Sequence, residues 1–122
     1  MITEKGKEEI ATLIKTNFLR MNIGTGTDST NPNSNTLDNP RTVVSSNNIS
    51  AVLSNDNEIE FKASFSGSES ALTGYTISEV GIFNSSDNMF NRVDFEGVGP
   101  LTSTDVLEFT ILVQVEWNDN NS

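Results

Sequence analysis

The 122-residue chain contains no cysteine and no histidine. The first absence excludes disulfides and thiolate zinc sites. The second removes the Ser–His and Cys–His nucleophile systems and the usual imidazole metal ligands. Basic residues are scarce: seven Lys and Arg stand against 17 Asp and Glu, a formal net charge of −10. Residues 1–41 carry five bases (Lys5, Lys7, Lys15, Arg20, Arg41) and five acids (Glu4, Glu8, Glu9, Asp28, Asp38), so the other twelve acids share residues 42–122 with Lys62 and Arg92 alone. Such a surface repels phosphate backbones and anionic lipid, and neither nucleic acid nor membrane is an expected partner. No apolar run is long enough to span a bilayer, and the N-terminus lacks the apolar segment of a signal peptide, so a soluble protein is expected.

What is present is a change of period along the chain. The length suits one domain, 1–122, able to bury a core without a disulfide or a metal. Residues 2–18 read as a helix with an apolar stripe of Ile10, Leu13, Ile14 and Phe18, capped by Thr3 with Glu4 in the first turn. Leu19–Ile23 reads as a short strand. Residues 24–40 are Gly, Thr, Asn, Asp, Ser and Pro with Leu37 as the one apolar residue, a long polar loop that has almost nothing to bury. From 41 to 117 the period is two. Thr42–Leu53 is a weak strand or pair of strands, and Glu58–Phe65 points Ile59, Phe61, Ala63 and Phe65 one way. Tyr75–Phe83 and Met89–Phe95 flank a turn at 84–88. Val106–Trp117 carries six apolar residues on one face, Leu107 to Trp117, and reads as the strand at the centre of the core; 118–122 is a tail. The expected fold is mainly β (α+β): an N-terminal helix followed by an antiparallel β-sandwich or sheet.

Candidate chemistry is sparse. Gly24-Thr25-Gly26-Thr27 lacks the lysine and the following helix of a phosphate loop, and its glycines are expected to serve positive φ in a turn. Asn55-Asp56-Asn57-Glu58 and Asp87-Asn88 offer oxygen ligands without the spacing of a calcium loop. Glu58 with Glu60, and Glu108 with Glu116, interleave with core positions and read as solvated faces rather than glycosidase pairs. Neither a metal nor another cofactor is expected, and the chain is expected not to be an enzyme. Glu79 stands apart, because it shares a strand side with Ile77 and Phe83. A carboxylate there needs hydrogen-bond donors, and the reading is a structural Glu that accepts backbone N–H groups, with an interface or ion site as the alternative.

The stretch Gly74-Tyr75-Thr76-Ile77-Ser78-Glu79-Val80-Gly81-Ile82-Phe83-Asn84 resembles a signature of phage tail-fibre (tail-collar fibre) domains of tailed viruses. The similarity extends to the element order: a helix, a segment like Met21–Gly26, a polar loop with proline, then alternating strands. The resemblance implies a virion structural protein, a fibre-attachment or baseplate module acting by assembly contacts in the tail. A capsid decoration or head-fibre protein is the alternative, as is a receptor- or glycan-binding domain. The partners it implies are other virion proteins and further copies of the chain. A host-surface glycan is the weaker expectation, because one Trp, one Tyr and seven Phe leave few aromatics for a sugar platform. The loop is expected to touch a neighbouring subunit through Asp28, Asn31, Pro32, Asn33 and Asp38.

Overall fold

The computed structural model describes residues 1–26, 36–41, 49–55 and 57–116. Among these residues a helix, α1 (Glu4–Asn17), precedes seven strands: β1 (Arg20–Gly24), β2 (Pro40–Arg41), β3 (Ile49–Asn55), β4 (Glu58–Ser66), β5 (Ile77–Phe83), β6 (Met89–Val98) and β7 (Val106–Gln114). They form two antiparallel sheets, ordered β2-β1-β5-β6 and β3-β4-β7. One core cluster joins both sheets and the helix through Ala11, Met21, Ile23, Ile59, Phe61, Phe65, Val80 and Ile82, among others. The expected class, a helix followed by an antiparallel β-sandwich, is therefore the observed one.

The helix starts where its cap is. Thr3 Oγ1 accepts from the Gly6 N–H at 3.0 Å, satisfying one of the orphan donors of the first turn. Its buried position is Ala11, with Ile14 and Phe18 partly buried beside it, whereas Leu13 is 62% exposed. The stripe is thus rotated from the expected one, because the helix lies against β3 and β4 and the small Ala11 lets the backbones approach. Ala11→Leu should cost about 1–3 kcal/mol by overpacking. Leu13→Glu should stay within about 0.5 kcal/mol. Thermal melts of the two variants distinguish this face from the expected one.

Strand β4 keeps the expected phase, with Ile59, Phe61, Ala63 and Phe65 buried, and burying each of the larger three contributes about 1.5–3 kcal/mol. Strand β7 does not have the expected place. Among the described residues it is an edge strand, paired with β4 on one side, and its inward residues Leu107, Phe109, Ile111 and Val113 are only half-buried. Alternation reports which face of a strand is apolar, not how many neighbours cover it. The fully buried strand is β5, all seven residues of it. Val80 and Ile82 face the core between the sheets. Gly81 and Phe83 face the other way and are buried by something else.

Candidate functional site: the clamped stem of the polar loop

What covers the outer face of β5 is the returning leg of the polar loop. Leu37, outside the main core, is 2% exposed. A Cβ on Gly81 would lie 3.1 Å from Leu37 Cδ2 and 3.0 Å from Phe83 Cε2, so the missing side chain makes the socket in which Leu37 sits. The expectation that the loop has almost nothing to bury holds for all but Leu37, and that one residue ties its returning leg to the fold. A single apolar residue in a polar run is enough once a sheet face is left open for it.

Glu79 lies on this outer face and is fully buried. Its Oε2 accepts from the Gly26 N–H at 2.7 Å and the Asn39 N–H at 2.8 Å, and its Oε1 accepts from the Asp38 N–H at 2.8 Å. One carboxylate therefore holds both legs of the loop. The legs also hold each other: Thr25 N donates to the Asn39 carbonyl at 3.0 Å, Asn39 Nδ2 donates to Thr25 Oγ1 at 2.7 Å, and Gly24 pairs with Pro40. Next to Glu79, Ser78 Oγ donates to the Gly26 carbonyl at 2.6 Å. Ser78 and Glu79 thus grip the same glycine, and the β5–β6 register shifts between Ile77 and Glu79. This slip lets Ile77 and Val80 both reach the core while Glu79 faces outward.

The charge has compensation. Arg92 Nη2 is 3.8 Å from Glu79 Oε1, and Arg92 Nε is 3.4 Å from Asp94 Oδ1, so a mostly buried guanidinium lies between two carboxylates. Burying an ionised carboxylate without such partners is costly, and three backbone donors plus a cation meet that requirement.

The glycines of the Gly24–Thr27 run have a different use from the expected one. The described glycines with positive φ are Gly74 and Gly99, not Gly24 or Gly26. A Cβ on Gly26 would sit 2.4 Å from Asp38 Cβ and 2.5 Å from Glu79 Oε2, so this residue is glycine because the returning leg and the carboxylate both approach too closely for a side chain. The Gly26 N–H that a phosphate would need is already taken by Glu79.

Beside the stem lies an open cavity of about 280 Å³, walled by Arg20, Asn22, Thr36, Leu37, Phe83 and Asp87. The Arg20 guanidinium pairs with the Asp87 carboxylate across it. Asp87 adopts φ 61° in the β5–β6 turn, where Asn84 Oδ1 accepts from the Ser86 and Asn88 N–H groups at 3.0 and 2.9 Å. The turn residues are therefore used to close the turn and to meet Arg20. Glu58 accepts from Ser54 Oγ at 2.6 Å, and Glu60 pairs with Lys62 at 3.2 Å. Among the described residues, no group of three or more Asp and Glu is placed to hold a metal ion. Tyr75, 41% exposed, has the Arg41 guanidinium 3.8 Å over its ring, so one face of the aromatic is already occupied.

Of the candidate residues, Glu79 and Asp38 come together in the clamp, Asp38 through its backbone and with its side chain exposed. Asp28, Asn31, Pro32 and Asn33 lie outside the described residues, as does Asp56. The sequence reading missed Leu37, Ser78 and Arg92. Each carried a signal: a lone apolar residue in a polar run, a second polar residue in an apolar strand, and one of only two bases after residue 41. The clamp offers no reactive group, since every oxygen of Glu79 is engaged and none is open to solvent; what it can do is fix a loop to a rigid sheet. A comparison with known families found no family model that matches this chain, and a comparison with curated proteins found no match.

Proposed function

We propose that the chain is a virion structural protein of a tailed virus, a tail-fibre or baseplate attachment module that works by assembly contacts and without catalysis. The observation that carries this reading is the clamp. Glu79 and Gly81, the two residues that anchor the loop and seat Leu37, both lie in the Gly74–Asn84 stretch that resembles the tail-fibre signature. The resembling residues thus have a physical role, which is to make a socket for one polar loop. A rigid scaffold presenting a loop on a fixed stem is a common way to build a contact surface, since the ordering cost of the stem is met within the subunit. On this reading the partners are neighbouring virion proteins and further copies of the chain, and its place is the virion, in the tail.

The test has two arms. Tailed particles purified from cells that carry this sequence should contain the chain by peptide mass spectrometry, and its absence from them would overturn the proposal. The second arm replaces residues 28–35 with a short Gly-Ser linker and leaves Thr36–Pro40 in place, because Leu37 and the clamp are part of the fold. The variant should keep its circular dichroism spectrum, with a melting temperature within a few degrees of the parent. It should be missing from assembled particles. Normal incorporation would show that the loop is a linker and that assembly uses another surface.

A further inference from the structure

We propose that the open edge of β7 is a self-association surface on which a second copy of this chain pairs antiparallel about a two-fold axis at Thr110, joining the two β3-β4-β7 sheets. Strand β7 pairs with β4 without a break from Val106↔Ser66 to Gln114↔Glu58. Among the described residues, no strand lies on its other side. The remaining edges are blunted: β2 is two residues long, β3 shifts register between Leu53 and Asn55, and β6 shifts between Ile77/Glu79 and Ile82/Phe83 of its partner. A long regular edge with no proline, lysine or bulge is a template for another strand.

The backbone has the right parity for this. At one end of β7 the Val115 N–H donates to the Asn57 carbonyl at 2.7 Å, and at the other the Gly67 N–H donates to the Asp105 carbonyl at 2.7 Å. Hydrogen-bonded pairs alternate along an antiparallel ladder, so Leu107, Phe109, Ile111 and Val113 turn their N–H and C=O groups toward β4. Val106, Glu108, Thr110, Leu112 and Gln114 turn theirs to the open side.

The side chains agree. Centred on Thr110, the pairing sets Phe109 against Ile111 and Leu107 against Val113 on the inward face, where all four are only half-buried in the single chain. On the outer face it sets Glu108 against Leu112, which is 58% exposed, and Val106, 60% exposed, against Gln114. No acid opposes an acid. Moving the axis to 108 would set Glu108 against itself, and moving it to 112 would set Glu108 against Glu116. Thr110 therefore gives the longest overlap free of like charges. A second copy suits this edge because each half of the strand complements the other.

The full chain in sedimentation equilibrium should be a dimer that tightens as salt rises, because two copies of charge −10 repel at low ionic strength. Leu112→Glu, on an exposed position, places a carboxylate opposite the partner's Glu108 twice over and should weaken the dimer at least about tenfold. Adding Glu108→Lys to that variant should restore it, which a merely damaged fold would not show. Thr110→Pro removes an N–H that β4 does not use and should give a folded monomer by circular dichroism. A parent that stays monomeric up to the solubility limit overturns the proposal, as does Leu112→Glu as dimeric as the parent or a double variant that stays weakened. The pairing supplies the self-association that the virion reading calls for but is tested apart from it: a monomeric parent leaves that reading intact, and absence from virus particles leaves the dimer intact.

Discussion

Glu79→Ala should lower the unfolding free energy by about 3–5 kcal/mol, the range for removing one partner of a buried, hydrogen-bonded charge. Three effects add. The Gly26, Asp38 and Asn39 N–H groups lose their acceptor under the loop. Arg92, with a 10% exposed side chain, loses the Glu79 carboxylate beside it. The space of the side chain also opens beneath the stem. Glu79→Gln should be nearly as harmful despite its matching shape, because its amide NH₂ replaces one of two acceptor oxygens and meets backbone donors. Urea titrations of the two variants measure the loss, and hydrogen exchange at Gly26, Asp38 and Asn39 should quicken more than at the β4 amides. A midpoint unchanged in both variants would mean that the stem holds itself through Thr25 and Asn39 and that the carboxylate is a spectator.

The second large effect belongs to the core between the sheets. Phe61→Ala should cost about 3–5 kcal/mol, since the ring is fully buried at the middle of β4. Its register partner Ile111 shares the inward face, yet Ile111→Ala should cost only about 1–2 kcal/mol in the single chain, because that side chain is only partly buried. The comparison belongs at low protein concentration, where a β7–β7 pair would be dissociated. Equal losses would place β7 at the centre of the core and contradict its position at the sheet edge.

Much of the candidate site could be read from particular residues. Glu79 is conspicuous as a carboxylate among Ile77, Val80, Ile82 and Phe83, and the cost of an unpaired buried charge points to backbone donors. What supplied those donors was not readable. Gly26, Asp38 and Asn39 are 40 to 53 residues away in the chain, and no local pattern says that they return to the same strand. Arg92 reaches Glu79 through the β5–β6 pairing, which the turn at 84–88 suggested, but the register slip at Ile77/Glu79 that sets the facing depends on both strands at once.

The elements and their apolar faces follow from local residue order. Helical spacing and Thr3 set α1, and strict alternation set β4 and β7, because steric preference and period act over a few neighbouring residues. How much of each face is covered depends on the packing of the whole chain. That packing puts β5 at the middle of four strands with Leu37 over its outer side, and β7, for all its apolar alternation, at an edge where that face is only partly covered. Burial depends on which segments meet after chain reversals, and closing such long loops is governed by the sum of all contacts rather than by any stretch of sequence.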